Sequence, residues 1–176
     1  MRFVGKAKRA FSLVELVIVI VIIGIIAAIA VPRISRGAKG ATESAVRGDL
    51  AALRAAIDLY AAEHNGVFPG QHKNDGSAGG AASDAVDQLT KYSDINGKTG
   101  DYSATDGIVY GPYLRNGMPP LPVGANVGST DIVFSTASPP TVAEGGGEGW
   151  AYNQTTGQII ANTSAKDESD TAYSTY

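Results

Sequence analysis

Hydrophobic residues dominate one uninterrupted stretch close to the start of the chain. From Phe11 to Val31 the sequence runs for 21 residues with a single charged side chain, Glu15. An α-helix of that length rises about 31 Å, which matches the hydrocarbon core of a bilayer. Four cations and no acid occupy the first ten residues, at positions Arg2, Lys6, Lys8 and Arg9. This pattern predicts a membrane-spanning helix whose N-terminus stays in the cytoplasm.

A second hydrophobic pattern follows, with the period of an amphipathic helix. Apolar residues recur at spacings of three and four, at Val46, Leu50, Leu53, Ile57 and Tyr60. Asn65-Gly66 supplies a stop signal. Pro32 lies between the two patterns and predicts a helix break or bend, because proline removes a backbone donor and clashes with the preceding turn. We therefore predict one long helix over 11–63, with a membrane segment at 11–31 and an amphipathic continuation at 32–65.

The remaining residues, 66–176, are rich in glycine and proline and predict a loop-rich globular head. A short helix is expected over 84–92, with Ser83 as its N-cap. A strand is expected at 132–134, and a hairpin at 150–153 and 157–161. We expect a small antiparallel sheet to pack on the amphipathic helix, which makes the predicted fold class α+β. The segments 71–83 and 164–176 are polar and predict a mobile loop and a tail that is loose unless it adds an edge strand.

Composition narrows the possible functions. The formal net charge is −3, with 17 acids against 14 bases, and this acidic balance leads us to expect no nucleic-acid partner. The chain has no cysteine, which excludes disulfides and thiolate metal sites. Its two histidines, His64 and His72, are predicted to be solvated. No sequence motif of a hydrolase or a nucleotide-binding loop is present, so we expect no enzymatic activity and no cofactor. Triplets at Asn153 and Asn162 fit the glycosylation pattern, which arises often by chance.

Glu15 is the residue that hydrophobicity does not explain. An acid at the centre of a membrane helix costs about 2.5–3.5 kcal/mol on insertion scales, and less near the end of the helix. Glu15 could therefore be an end-residue whose side chain reaches the interface. Alternatively, it has a specific cationic partner within the membrane.

The segment Ala10-Phe11-Ser12-Leu13-Val14-Glu15-Leu16, preceded by a basic leader at 1–10, resembles the class III signal of type IV pilins and type II secretion pseudopilins. The resemblance implies that a prepilin peptidase cuts between Ala10 and Phe11 and methylates the new Phe11 amine. It also implies that Glu15 pairs with the Phe11 amine of a neighbouring subunit, and that the helix near Pro32 stretches or melts in the filament. The family usually has glycine before the cut, where this chain has Ala10.

Later segments are similar to the major pseudopilins, general secretion pathway protein G. They are the helix end at 56–69, the segment 113–120 and the hairpin at 150–162. The family's Asp-Pro-Trp-Gly-Asn-Pro-Tyr segment is missing, and so is the C-terminal disulfide loop common in type IV pilins. The resemblance further implies that calcium could bind in the loops beside the sheet, where Asp131, Glu144 and Glu148 could lie, although their spacing matches no regular loop motif.

The resemblance implies a structural function. The chain would be a type II pseudopilus subunit in the bacterial inner membrane, with a cytoplasmic N-terminus and a periplasmic head. Its partners would be further copies of itself, minor pseudopilins, the prepilin peptidase and the inner-membrane assembly platform. A type IV major pilin for adhesion or motility is the alternative within the superfamily. A single-pass membrane-anchored binding or enzymatic domain is an alternative of another class, and cleavage after Ala30 by ordinary secretion is a further one.

Overall fold

The computed structural model describes residues 11–176, and for 31–38 it describes the backbone only. Contacts divide the chain after Gly40 into two compact units. One helix, α1, extends over Leu13–Glu63 and contributes to both units. It begins two residues later than predicted and ends at the predicted residue. The helix continues through Pro32, so Pro32 does not interrupt it here, and the predicted weakening at this residue stays a prediction.

The first unit contains the apolar part of α1. The window Leu13–Ala30 has a mean hydropathy of 3.2, and the protein buries none of it. A helix of this length and composition can cross a membrane. The chain leader and Ala10, on which the predicted processing depends, lie outside the described residues.

In the second unit, the apolar side chains of α1 form the floor of the core. The predicted stripe is confirmed, because each of its members is at most 1% exposed: Val46, Leu50, Leu53, Ile57 and Tyr60. The opposite face of the helix includes Leu59, which is 51% exposed. The period of the sequence therefore identified the buried face correctly.

Helix α2 covers Ala82–Thr90, about two residues earlier than predicted. Ser83 lies inside the helix, so the prediction that it is the N-cap was wrong. The N-cap is Ala81, whose N–H donates to Asp84 Oδ2 at 2.7 Å. A carboxylate in the first turn satisfies a backbone donor that has no partner within the helix, and it also interacts favourably with the helix dipole.

Five short strands form two sheets in the head. An antiparallel pair joins β1 (Tyr92–Ser93) to β2 (Thr99–Gly100). The second sheet has the order β3-β4-β5, with β3 at Ile132–Phe134, β4 at Trp150–Tyr152 and β5 at Ile159–Ala161. The predicted strand and hairpin are therefore confirmed.

The three-stranded sheet is mixed, however, and not purely antiparallel as predicted. Strands β4 and β5 are antiparallel, whereas β3 and β4 are parallel, with Ile132 opposite Trp150. Parallel neighbours need a crossover of a dozen or more residues, and the segment 135–149 supplies it. This pairing depends on the path of a loop without periodicity, which is why the sequence did not indicate it.

The core of the head forms where α1, α2 and the β3-β4-β5 sheet meet. Trp150 and Leu121 are fully buried there, together with Tyr152 and Ile159 of the sheet and Leu89 of α2. The indole Nε1 of Trp150 donates to the carbonyl oxygen of Pro119 at 2.9 Å, so its polar atom is satisfied. Trp150 is the single tryptophan of the chain and reports on the folding of this core.

The C-terminal tail is held against the head, so the prediction that it is loose was wrong. Tyr173, in a short 3₁₀ helix over Tyr173–Thr175, is 4% exposed. The guanidinium of Arg47 lies 3.8 Å from the ring centroid of Tyr176, whose hydroxyl donates to Asp167 Oδ2 at 2.6 Å. Two aromatic anchors in an otherwise polar segment therefore fix it. The segment 71–83 is also more regular than expected, because Lys73 N–H donates to Ser77 O.

Replacing Leu53 should destabilise the head. Leu53 is fully buried, and Leu53→Ala should lower the free energy of unfolding by about 2–5 kcal/mol because it leaves a cavity. The measurement is urea unfolding of the detergent-solubilised chain, followed by Trp150 fluorescence. Leu59→Ala, on the exposed face of the same helix, is the matched control and should change stability by about 0.5 kcal/mol or less. Equal effects of the two variants would contradict the position of the core.

Candidate functional site

The first turn of α1 carries the residues on which the predicted assembly depends. Phe11 precedes the helix and is 79% exposed. Glu15 lies in the first turn, and the N–H of Leu16 donates to the carbonyl oxygen of Ser12 at 3.2 Å. The N-terminal end of a helix carries a partial positive charge, which favours an acid at this place. The fold thus places a carboxylate and an exposed aromatic residue at one end of an apolar helix.

The position of Glu15 is also compatible with capping of its own helix. Ser12 directly precedes α1 and Glu15 is its third residue, which is the spacing of a capping box. In that arrangement the acid would satisfy backbone donors of its own chain. A capping function accepts glutamine as well as glutamate, whereas an ion pair requires the charge. This difference separates the two functions experimentally.

The side chains of α1 between Glu15 and Ala30 give the helix an apolar surface that no other described residue covers. Those of Ile18, Ile22 and Ile26 are each more than 50% exposed, and Gly24 has open space around it. Such a surface is stable in lipid or against other apolar helices, but not in water. The site therefore consists of an apolar helix with one carboxylate in its first turn.

Residues 5–31 match the family described as the prokaryotic N-terminal methylation motif. This chain has a type IV prepilin-like N-terminus. No curated protein and no solved structure matches the chain. The motif supports the type IV pilin and pseudopilin superfamily and cleavage by prepilin peptidase. The N-terminal apolar helix and the α+β head are consistent with a pilin-like fold, and the apolar helix fits a membrane-anchored protein of this kind.

The histidines are placed differently from the prediction. His72 is partly exposed, but His64 is only 1% exposed and stacks on the ring of Tyr60, with 3.8 Å between ring centroids. The Nδ1–H of His64 donates to the carbonyl oxygen of Tyr60 at 2.8 Å, and Nε2 accepts from Ser93 Oγ at 3.0 Å. The prediction that His64 is solvated was wrong. The residue directly follows α1, and its side chain is buried between the end of α1 and the β1-β2 pair.

The hydrogen bond between His64 and Ser93 has the geometry of a nucleophile and its base. Both side chains are buried, however, and a substrate would have no access to Ser93. A catalytic serine must be exposed to a pocket that holds the reacting atom. The pair therefore joins α1 to β1, and the sequence could not reveal it because 29 residues separate the partners. The absence of enzymatic activity stays a prediction.

The loop that carries the predicted calcium ligands is held by amide groups. Asn126 Nδ2 donates to the carbonyl oxygen of Glu148 at 2.8 Å, and Asn162 Nδ2 donates to the same atom at 2.8 Å. Asn162 Oδ1 accepts the N–H of Ala143 at 2.7 Å. The Glu144 carboxylate accepts the N–H of Ser164 at 2.6 Å, which lowers the pKa of that carboxyl.

These contacts already use the Glu144 carboxylate and the carbonyl oxygen of Glu148. Calcium takes six to eight oxygen ligands. Within residues 11–176, no group of three His, Asp or Glu side chains is placed to hold a metal ion. Glu148 Oε2 is buried without a hydrogen-bond partner, but one carboxylate atom does not make a site. Calcium binding at Asp131, Glu144 or Glu148 therefore stays a prediction, which no cluster of three carboxylates in the described residues supports.

The two glycosylation triplets are inaccessible. Asn153 is 3% exposed, and its Oδ1 accepts the N–H of Thr155 at 2.8 Å. Asn162 is fully buried and makes the loop contacts described above. Both asparagines are therefore structural, which the triplet pattern could not indicate.

His64 should make the stability of the head depend on pH. Burial lowers its pKa below the ordinary value of about 6.5, and the smaller opposing effects of Glu63 and Asp94 do not cancel this shift. The unfolded chain therefore binds a proton more readily than the folded one, and stability falls as the pH falls below about 6.5. Urea unfolding at pH 7.5, 6.5 and 5.5 should show this loss.

The control is His64→Gln, which retains the second histidine and every carboxylate. It should be less stable than the wild type at pH 7.5, with a weaker dependence on pH between 7.5 and 5.5. If the two proteins lost the same free energy over this range, the titrating group would be another residue.

Asn162 should be required for the loop at 143–149, and calcium should not. Asn162→Ala leaves the N–H and the carbonyl oxygen of Ala143 without their partner, so we expect a loss of about 1–3 kcal/mol. Asn116→Ala, at an exposed position, is the control and should have little effect. The calcium test uses the same urea unfolding experiment on the wild type. Addition of EGTA or of calcium should leave the midpoint of unfolding unchanged. A midpoint that rises with calcium would establish a metal site instead.

Proposed function

We propose that this protein is the subunit of a helical filament, and specifically of a type II secretion pseudopilus. The observation that carries the proposal is Glu15. It is the single acid of the apolar span 11–31, it lies in the first turn of α1, and it falls within the methylation motif at 5–31. In a membrane anchor without further function this carboxylate would only cap its own helix, whereas a filament subunit can also use its charge to recognise a neighbour.

The pairing follows from electrostatics. Cleavage between Ala10 and Phe11 would create a new amine at Phe11, and N-methylation leaves that amine able to carry a positive charge. A carboxylate in an apolar environment is strongly destabilised unless an opposite charge is close. The Phe11 amine of a neighbouring subunit would supply this charge at one axial position only. Glu15 would therefore set the register between subunits.

The apolar side chains would supply the cohesion of the filament. The exposed surface of Leu16–Val31 would pack against the same segment of neighbouring subunits once they leave the bilayer. Burial of apolar surface is non-directional, so it stabilises many relative positions of two helices. The ion pair would then select one of them. Pro32 would allow the helix near it to stretch or melt during this packing.

Similarity to the major pseudopilins supports the finer assignment. The three similar segments form the end of α1, the loop at 113–120 that contacts α2, and the β4-β5 hairpin. In the loop, Leu114 N–H donates to Leu89 O at 2.8 Å. We propose that the filament acts in protein export, with minor pseudopilins, the prepilin peptidase and an inner-membrane assembly platform as partners.

A type IV major pilin for adhesion or motility is the second candidate, because the methylation motif is common to both classes. Loss of protein export without visible surface fibres would favour the pseudopilin, whereas fibres on the cell surface would favour the pilin. We further propose insertion in the inner membrane, with a cytoplasmic N-terminus and a periplasmic head. A single-pass binding domain is the alternative of another class, and it would retain its leader.

Replacing Glu15 should prevent assembly without unfolding the head. In cells that carry the peptidase and the assembly platform, Glu15→Ala should abolish crosslinked multimers, because the Phe11 amine loses its partner. Glu15→Gln keeps the shape and the capping capacity but removes the charge, so it should fail to assemble as well. Glu168→Ala, an exposed acid in the tail, is the control and should assemble normally. The measurement is crosslinking of membranes, with Trp150 fluorescence as the check on folding.

Mass spectrometry of the same membranes should find a wild-type chain that starts at N-methylated Phe11. A chain that still starts at Met1 would show that the leader is retained, which contradicts processing and favours a membrane-anchored domain. Normal assembly by Glu15→Gln would assign Glu15 to helix capping and remove the ion pair from the mechanism.

A further inference from the structure

The segment of α1 directly after the apolar span carries an unbalanced positive charge. Between Leu16 and Thr42 the chain has three charged residues, and all are cations: Arg33, Arg36 and Lys39. The segment is helical throughout, and Lys39 is exposed. The next acid along the helix is Glu43, which pairs with Arg47 at 3.1 Å. The basic segment 33–39 therefore continues directly from the membrane span.

Helix geometry places the backbone of Arg33 and Arg36 at the depth of the lipid headgroups and that of Lys39 just beyond it. At 1.5 Å per residue, they follow the end of the span at Val31 by about 3, 8 and 12 Å. The polar layer of a bilayer is about 5–8 Å thick on each side. Lysine and arginine have long flexible stems whose charged ends can move toward such a layer. Arginine also binds phosphate oxygens in a bidentate manner.

The cations act against the orientation that the leader favours. Lys and Arg close to the end of a span tend to keep that end in the cytoplasm, and in the proposed orientation this end is translocated. The four cations of the leader outnumber them before cleavage, but cleavage would remove those four. Arg33, Arg36 and Lys39 thus oppose the orientation set by the leader, and after cleavage they carry most of the positive charge next to the span. Membrane orientation therefore does not explain these three residues, and a function separate from orientation would explain them.

We propose that Arg33, Arg36 and Lys39 form a binding surface for the phosphates of anionic phospholipids, in the leaflet at the C-terminal end of the span. Each copy of the chain in a membrane meets such lipids, whereas a neighbouring subunit is present only after assembly. The inference needs only the membrane-anchored chain and does not depend on which filament the subunit builds.

The test uses the full chain in bilayer nanodiscs of phosphatidylcholine with one quarter phosphatidylglycerol. Spin-labelled forms of the two lipids report which one is motionally restricted at the protein. The wild type should select phosphatidylglycerol, and raising the salt concentration should weaken the selection by screening. The triple variant R33Q/R36Q/K39Q should lose it, by up to about fivefold per cation at low salt. The leader cations are the same in both proteins and contribute equally.

A matched control removes three cations from the head, where they are exposed and far along the sequence: K73Q/K98Q/R115Q. It has the same net charge as the triple variant and should retain the wild-type lipid selection. Trp150 emission should be the same in all three proteins, which establishes that the heads remain folded. Equal losses in both variants would mean that the selection follows net charge, and they would overturn the proposal.

A second outcome would also overturn it. If R33Q/R36Q/K39Q kept the lipid selection but lost crosslinked multimers in membranes, the cations would bind acids of a second copy. The Glu15 variants described above separate this result from a failure of the filament proposal. They should lose multimers while they keep the preference for phosphatidylglycerol.

Discussion

A carboxylate in hydrocarbon is the constraint on which the membrane part of this protein depends. The apolar helix alone would dissolve in lipid in any rotation and at many depths, because lipid tails and aliphatic side chains are equally apolar. Glu15 removes that freedom. Its charge must stay near the polar layer or meet a cation, and either condition fixes where the helix can lie. The same residue that destabilises the anchor therefore makes its position specific.

The head depends on a different property of the same helix. Past the basic segment, α1 stops being apolar on all sides and presents one stripe to α2 and the β3-β4-β5 sheet. The strands have only two or three residues each, so their backbone hydrogen bonds could not hold a sheet together in isolation. Apolar packing of the sheet on the stripe of α1 provides the stability that these few hydrogen bonds do not. The head is thus a set of loops and short strands that α1 organises.

The sequence predicted the parts of this structure that have a period. The span, the stripe on α1, the strand at 132–134 and the β4-β5 hairpin all follow from spacing or from turn residues, and the structure contains them. The parallel pairing of β3 with β4 was missed because it depends on the crossover at 135–149, which has no pattern. His64 was predicted to be solvated because its partner Ser93 is distant in the sequence, and the burial of a polar residue shows only when such partners meet.

The residues of the candidate site could be predicted from the sequence, but their interactions could not. Glu15 and Phe11 stand out in a run of aliphatic residues, and the match to the methylation motif covers both. The contacts that we propose for these two residues involve a second molecule, which no pattern within one chain describes. Processing depends on Ala10, which lies outside the described residues. For the proposed pairing between subunits and the proposed processing, sequence and structure therefore define only the groups that this chain contributes.

The shortness of the strands has a consequence for many heads held side by side. An exposed sheet edge is a template for another strand, and closely spaced copies of a protein with long edges tend to fuse into fibrils. Here β3 and β5 are the edges of the mixed sheet, each three residues long, and the 3₁₀ helix at the tail contacts β5. Such edges offer too few backbone groups for a lasting bond. In the proposed filament, crowded heads would therefore touch through side chains and still separate, so that the polymer would stay reversible.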